Sequence, residues 1–182
     1  SSGTPMILGG DEMLRTQRCN NNAFNLDAPS MWLDPQLAVT HADLVTFAAR
    51  LLRFRQDHAS LRRRTFFDGS DHDQNGLADI TWHRDDGSVA DGAYLNDPAH
   101  HFLGFRIDGE EVGDAAVSIY VAYNGWDQPV LATLPASLVG RTWFRAADTA
   151  TAPYFWAPGA EPPAGATPYA LAPGTVAIFV ER

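Results

Sequence analysis

The sequence predicts a mainly β chain in which an antiparallel β-sandwich over residues 58–182 follows a strand-loop-helix unit over residues 1–57. Three observations carry this prediction. From about Thr65 onward, apolar and polar residues alternate with a period of two, which is typical of half-buried strands. Turn-forming pairs such as Asp86-Gly87 separate the alternating stretches. Before residue 57, one short apolar run and one apolar stripe at helical spacing indicate a strand and a helix instead.

The first element is a short apolar run, Met6-Ile7-Leu8, bounded by Thr4-Pro5 and Gly9-Gly10. Such a run is typical of a parallel strand that is buried on both faces. A lone strand of this kind cannot be buried without neighbouring strands, and residues 1–57 do not provide them. We therefore expect residues 1–57 to complete a larger α/β domain.

A long polar stretch from Asp11 to Pro35 follows the predicted strand and is rich in Asn, Asp and Arg. Loops of this length are frequently functional. The next pattern predicts a helix from about Ala42 to Asp57, because its apolar residues recur at helical spacing. We expect Thr40 to cap this helix, with Asp43 completing a pair that resembles a capping box.

The remaining sequence alternates in six stretches that predict antiparallel strands: Ile80–Trp82, Phe102–Ile107, Ser118–Asn124, Val130–Leu134, Trp143–Ala147 and Thr175–Glu181. Short strands at this density are typical of a β-sandwich. In the last of them, Val176, Ile178 and Val180 share one face. Residues 150–174 are rich in Pro, Ala and Gly and are expected to form an irregular excursion.

The composition excludes several classes of function. The chain carries 13 basic and 22 acidic residues, a net charge of −9, so we expect no nucleic-acid partner. Cys19 is the only cysteine, which excludes an intramolecular disulfide and a cysteine-rich metal site. No apolar run approaches the roughly 20 residues of a membrane-spanning helix, so we expect no membrane partner. The compartment stays open, with a slight preference for the cytoplasm.

Several motifs together carry a resemblance to a known family. Gly3–Glu12, Arg15-Thr16-Gln17 and Asn20–Asn25, with Asp79–Trp82 and Ile119–Trp126 in the predicted sandwich, closely resemble isoamylase-type glycogen and starch debranching enzymes of the α-amylase clan. The resemblance spans most of the chain, and its most specific part is the first 35 residues. It implies that Gly3–Glu12 is the eighth strand of a (β/α)8 barrel and that the barrel's last loop and helix follow it.

This family hydrolyses α-1,6 branch linkages in glycogen or amylopectin with retention, using an Asp nucleophile, a Glu general acid and a second Asp. The family's catalytic residues lie on barrel strands upstream of the position of Gly3, so the resemblance implies no catalytic residue in this chain. We therefore expect the C-terminal portion of a glycogen debranching enzyme, whose partners are α-glucan and the missing catalytic barrel. No cofactor is expected, apart from a candidate calcium ion described below.

Candidate site residues lie in the polar stretch after the predicted strand. Asp11 and Glu12 suggest an alternative, a self-contained hydrolase, but adjacent residues of an extended strand point to opposite faces. Guanidinium and amide groups suit paired hydroxyls, although an Asn-rich loop can instead satisfy its own backbone. Four side chains are candidates for contacts to sugar in the intact enzyme: Arg15, Asn20, Asn21 and Asn22.

A second motif is similar to the first half of a calcium-binding loop. Side-chain oxygens recur around Gly76 at the spacing of calcium ligands, and the candidate metal ligands are Asp71, Asp73, Asn75 and Asp79. Trp82 stands where such a loop ends on a bidentate Glu, so that ligand is missing. The alternatives are a bound calcium ion and an acidic turn before a strand.

Exposed aromatic rings suggest a further alternative, a non-catalytic α-glucan-binding sandwich. Rings that stack on sugar must be accessible, whereas most aromatic residues of a sandwich fill its core. The candidates for stacking are Tyr94, Trp126, Tyr154 and Trp156.

Overall fold

The computed structural model describes residues 3–165 and 168–182. The chain divides into two compact units, with the division between Phe54 and Arg55. Among the described residues, every helix is too short or too polar to cross a membrane.

The N-terminal unit is mostly irregular. The strand predicted at Met6-Ile7-Leu8 is not formed in this structure, because these residues make no strand hydrogen bonds to any described residue. A 3-10 turn follows at Asp11–Met13. Helices α1 and α2 cover Gln36–Thr40 and Ala42–Asp57, so the bounds predicted for the longer helix are confirmed.

The predicted cap at Thr40 is wrong, because Thr40 belongs to helix α1 and its hydroxyl donates to the carbonyl of Gln36 at 3.1 Å. Helix α1 was not predicted from the sequence, and it begins after Pro35, whose φ of −65° suits the beginning of a helix. The carboxylate of Asp34 accepts from the Gln36 amide at 2.9 Å at the beginning of α1.

The C-terminal unit is an antiparallel β-sandwich, as predicted. A five-stranded sheet has the order β1-β2-β3-β7-β5, and a two-stranded sheet pairs β4 with β6. The strands are β1 Ile80–His83, β2 Phe102–Asp108, β3 Ser118–Asn124, β4 Val130–Ala132, β5 Trp143–Asp148, β6 Tyr169–Leu171 and β7 Thr175–Glu181. A short helix, α3, covers Gly92–Asn96 before β2.

Two details of the strand predictions need correction. Strand β4 ends at Ala132 rather than Leu134, and the segment predicted to be irregular contains β6. Both differences have one cause, because β4 pairs only with the three residues of β6, so the pairing ends where β6 ends. The sandwich core lies between the two sheets and contains Phe102, Tyr120, Ala122, Ala132, Trp143, Leu171, Ala177 and Phe179.

Asp114 clamps the segment that precedes the sandwich to the loop before β3. Its carboxylate lies 2.6 Å from Nδ1 of His58 and accepts from the backbone amide and the hydroxyl of Ser60 at 2.8 and 2.7 Å. Burial by itself would raise the pKa of Asp114, but the hydrogen bonds from His58, Ala116 and Ser60 outweigh it and lower the pKa to about 2.

The clamp predicts a pH dependence of stability. Because folding lowers the Asp114 pKa from 3.8 to about 2, the ionised carboxylate stabilises the fold above pH 4 and this contribution disappears as the pH falls towards 2. The lost contribution is about 2 kcal/mol. We therefore expect the free energy of unfolding, measured with urea, to fall less between pH 4 and pH 2 for Asp114→Asn than for the unchanged chain. The exposed Asp127, changed to Asn, is the matched control and should leave the slope unchanged.

Candidate functional site

Arg15 organises the polar loop of the N-terminal unit. Its guanidinium donates to the carbonyl of Met31 at 3.0 Å and to that of Gly9 at 3.5 Å, so it ties the beginning of the loop to a point 16 residues further on. Gly10 has a φ of 103°, which favours glycine, and a Cβ there would lie 2.8 Å from Arg15 and from Leu33. The turn at Gly10 therefore brings the chain close against the Arg15 side chain.

The carboxylates of Asp11 and Glu12 both accept hydrogen bonds from the backbone of the turn. Asp11 accepts from the amide of Leu8 at 3.2 Å, and Glu12 accepts from the amide of Gly10 at 2.9 Å. These bonds fix the start of the 3-10 turn. In this arrangement the two acids shape the loop.

An open cleft of about 360 Å³ lies beside this turn within the N-terminal unit. Its lining consists of Leu8, Arg15, Thr16, Gln17, Cys19, Asn20 and Asn21. Three of the four predicted sugar-contacting residues thus share one cleft, whereas Asn22 does not line it. The Asn20 side-chain oxygen accepts from the Asn22 amide at 2.9 Å, so part of the Asn-rich segment also supports its own backbone.

The lining of the cleft suits a polyhydroxyl ligand. Guanidinium, amide and hydroxyl groups can donate to and accept from sugar hydroxyls, and Leu8 adds an apolar wall for the face of a sugar ring. Cys19, which is exposed, places a thiol in the same lining. The sequence did not predict that Cys19 lies in the cleft, because only the folded loop brings it into the same lining as Arg15.

The acidic loop before β1 directs its side-chain oxygens towards its own backbone. Asp71 accepts from the amides of Asn75 and Gly76 at 3.2 and 2.9 Å, and the Asn75 side-chain oxygen accepts from Leu77 at 2.7 Å. Asp73 accepts from the Asn75 amide at 3.3 Å. Each of these bonds uses one lone pair of its oxygen atom, and calcium at these residues remains a prediction.

Asp79 faces a different group of residues from Asp71 and Asp73. Its buried carboxylate accepts from the amides of Asp68 and Gly69 at 3.0 and 2.8 Å. Ligand atoms of Asp68, His72 and Asp79 lie within 4.8 Å of one another. The hydrogen bonds from Ser70 are the main cause that lowers the pKa of Asp68, and His72 adds to it. One histidine and two carboxylates form a mixed donor set, which differs from the all-oxygen set that calcium prefers.

The predicted aromatic platforms differ in accessibility. Tyr94 is buried and its hydroxyl donates to the carbonyl of Phe102 at 3.1 Å, so its prediction as a stacking platform is wrong. The guanidinium of Arg145 lies 4.4 Å from the ring centroid of Trp156 and covers one face of that ring. Tyr154 is only partly exposed. Trp126 is 46% exposed and lies 5.6 Å from the ring of His101, so it is the most accessible of the four.

Comparison with known proteins gives consistent matches. The model of the family described as "Isoamylase, C-terminal" matches residues 79–180. An isoamylase of Flavobacterium sp is 47% identical over 151 residues, which are 83% of this chain and 19% of that protein. An isoamylase of Pseudomonas amyloderamosa is 42% identical over 165 residues, 88% of this chain and 20% of that protein.

More distant matches agree with these two. A glycogen operon protein GlgX homolog of Mycobacterium tuberculosis is 34% identical over 162 residues, 82% of this chain and 22% of that protein. Among solved structures, the type I pullulanase of Bacillus subtilis in complex with maltose superposes with a TM-score of 0.68 at 16% identity. That match covers 98% of this chain and 21% of the pullulanase, and it shows similarity of fold. The chain thus spans about a fifth of the length of the proteins that it matches.

Proposed function

Because the chain belongs to the isoamylase C-terminal domain family, we propose that it is the C-terminal portion of an enzyme that hydrolyses α-1,6-glucosidic branch linkages of glycogen. In this proposal the catalytic carboxylates lie in an upstream barrel, which this chain completes and braces. Residues 3–57 supply the last part of that barrel, and the sandwich follows it. The substrate is an α-glucan, glycogen or amylopectin.

The match to the Flavobacterium isoamylase carries the proposal. Residues 55–182 number 128, and the match extends over 151 residues, so it continues into the N-terminal unit. The similarity therefore includes loop or helix residues of the N-terminal unit as well as the sandwich. A glucan-binding sandwich that occurs without a catalytic barrel would be expected to match over the sandwich alone.

The chemistry of glycoside hydrolysis also supports a catalytic centre outside this chain. A retaining glycosidase needs two carboxyl groups held about 5–5.5 Å apart on either side of the bond that breaks. Asp11 and Glu12, the acids that follow the predicted strand, are bound to backbone amides of their own turn. The carboxylates required for cleavage are therefore expected on the missing barrel strands.

Release of reducing sugar tests this assignment. The purified 182-residue chain should release none from glycogen, whereas the full-length gene product should release linear chains. The chain-length profile of the released linear chains then shows directly whether branch linkages were cleaved. Activity of the 182-residue chain alone would instead support the self-contained hydrolase and contradict the proposal.

We further propose that the cleft beside Arg15 contacts the glucan in the full-length enzyme. In that enzyme, Asn21→Ala should raise the KM for glycogen about fivefold at unchanged kcat, because one hydrogen bond of about 1 kcal/mol is lost in binding. Asn22→Ala is the matched control, since Asn22 lies next to Asn21 but outside the lining, and it should leave KM unchanged. Equal effects of the two changes would contradict this assignment.

Cys19 provides an independent measurement for the same cleft. It is exposed and belongs to the lining, so a bound branched maltooligosaccharide should slow its alkylation by iodoacetamide in the full-length enzyme. Peptide-level mass spectrometry separates this cysteine from any upstream ones. An alkylation rate that does not change at saturating glucan would place the ligand elsewhere.

The second candidate function is a non-catalytic α-glucan-binding sandwich, and the accessible ring of Trp126 is the observation that favours it. Electrophoresis of the 182-residue chain through a glycogen-containing gel tests this alternative. Retardation that disappears with Trp126→Ala would establish it, and unretarded migration would remove it.

A further inference from the structure

A histidine and two carboxylates converge in the loop that precedes β1. Nε2 of His72 lies 3.2 Å from Oδ1 of Asp68 and 3.9 Å from Oδ2 of Asp79. We call these three residues the His72 cluster, and one ligand atom from each lies within 4.8 Å of those from the other two. Two ligand atoms bound to one tetrahedral zinc ion at about 2.0–2.1 Å are roughly 3.4 Å apart. The two distances from Nε2 lie on either side of this value, so one ion can reach all three residues after a small movement of the loop.

Asp79 is the fixed member of the His72 cluster. Its side chain is fully buried, and its oxygens accept from the backbone amides of Asp68 and Gly69 at 3.0 and 2.8 Å. These bonds hold the beginning of the loop beside Asp79, so the backbone places the two carboxylates together. A carboxylate offers about four lone pairs, of which the two amides use two. Asp79 can therefore bind an ion and keep the bonds that hold the loop.

A divalent cation balances the charge around Asp79. Buried charges in proteins are paired or coordinate metal ions. The guanidinium of Arg63 lies 4.0 Å from Asp79, but its close contact, at 2.6 Å, is with Glu111. With Asp68 included, three carboxylates and one guanidinium are joined through Asp79. Two negative charges thus remain unbalanced, because a histidine that binds a metal is neutral. This excess equals the charge of one zinc ion.

We propose that the His72 cluster binds a zinc ion through Nε2 of His72 and one oxygen each of Asp68 and Asp79. An imidazole with two carboxylates suits zinc, whereas calcium takes about six to eight oxygen ligands. The side chains of His72 and Asp68 are 43% and 58% exposed, so water can occupy the fourth position of the tetrahedron. The inference concerns the C-terminal unit and is independent of the proposed debranching activity.

The ion fastens the loop to an edge of the five-stranded sheet. Asp79 directly precedes the edge strand β1, and its carbonyl accepts from the amide of Asp108 at 3.2 Å, at the end of β2. The contact between His72 and Asp68, by contrast, stays within the exposed part of the loop. A zinc ion joins His72 directly to the buried Asp79 and so ties this part of the loop to the sheet.

Calorimetric titration of the 182-residue chain with zinc chloride tests the site, on protein prepared without a histidine tag. One zinc ion should bind per chain. His72→Ala should weaken the binding at least tenfold, since loss of a residue that merely orients a metal ligand already costs about 10–100-fold in affinity. His100→Ala is the matched control and should bind zinc like the unchanged chain. His100 is also 43% exposed and pairs with Asp97, but among the described residues it belongs to no cluster of three.

Asp68→Ala gives a second test from a carboxylate, with Asp97→Ala as its control. The two aspartates are 58% and 49% exposed at their side chains, so both variants should keep the fold. A ligand that binds the folded state raises its thermal stability. Zinc should therefore raise the Tm of the unchanged chain and of both control variants, and leave the Tm of Asp68→Ala and His72→Ala unchanged.

Nitrogen NMR of the histidine rings locates the bound ion. Zinc should shift the Nε2 resonance of His72 and leave that of His100 in place. Absence of zinc binding to the unchanged chain would overturn the proposal. Equal binding by His72→Ala would also overturn it, because the ion would then lie at another group such as the exposed Cys19. Displacement of the zinc by an equal concentration of calcium chloride would identify calcium as the ligand and overturn the assignment of zinc.

Discussion

Replacing Arg106 with methionine is expected to lower the free energy of unfolding by about 3–5 kcal/mol, because it leaves the carboxylate of Glu181 buried without a counter-charge. Glu181 is fully buried. One of its oxygens accepts from the Arg106 guanidinium at 2.5 Å and from the Ser118 hydroxyl, and the other accepts from the Leu138 amide at 2.6 Å. Chemical denaturation of the 182-residue chain measures the loss.

The matched control is Arg141→Met, which removes the same groups from an exposed pair. Arg141 is 44% exposed at the side chain and lies 4.0 Å from Glu110, so its loss should cost less than about 1 kcal/mol. Adding Glu181→Gln to Arg106→Met should recover part of the stability, since the buried charge is then removed as well. Equal effects of the two arginine changes would show that Glu181 is not held as a buried ion.

Sequence patterns predicted most strands because alternation and turns are local properties. Ser118–Asn124 and Thr175–Glu181 occur at their predicted bounds. Strand β6 was missed because it has only three residues, and its partner β4 lies about 40 residues earlier in the chain. A pairing over that distance leaves no periodic signal inside a segment rich in Pro, Ala and Gly.

Alternation showed that Val176, Ile178 and Val180 share a face, but it did not show which face forms the core of the sandwich. The core side of β7 carries Ala177 and Phe179 instead. Both faces of this strand carry apolar residues, and the inner face also carries Thr175 and Glu181, so the usual rule that the apolar face is the inner one gives no answer here.

The features of the candidate site that the sequence did not predict are contacts between residues that lie far apart in the sequence. Arg15 was predicted to contact sugar, which stays a prediction, and the structure shows that it holds the loop together through Met31, 16 residues away. The clamp of Asp114 on His58 joins residues 56 positions apart, and no spacing rule finds such a pair. The Asn and Arg residues of the cleft lining were predicted, because these residue types are prominent in the loop. The presence of Cys19 in the lining was not predicted.

The largest loss from a change in the apolar core is expected for Phe179→Ala, again about 3–5 kcal/mol, because a buried ring is lost and a cavity remains. Phe179 is fully buried and packs its ring against Tyr169 at 5.2 Å and Tyr120 at 6.3 Å between centroids. These two neighbours lie on different sheets, so Phe179 joins both layers of the sandwich and the layers cannot easily close on the empty space.

Phe66→Ala removes the same side chain from a position that is 86% exposed, and it should change the free energy of unfolding by no more than about 0.5 kcal/mol. The comparison separates the burial of the Phe179 ring from the general effect of a Phe to Ala change on the unfolded chain. Denaturant unfolding followed by tryptophan fluorescence measures both, since Trp143 lies in the same core. Removal of a ring packed between the two sheets leaves a cavity, which costs free energy of unfolding. A loss below about 1 kcal/mol for Phe179→Ala would therefore contradict the packing of the two sheets through this residue.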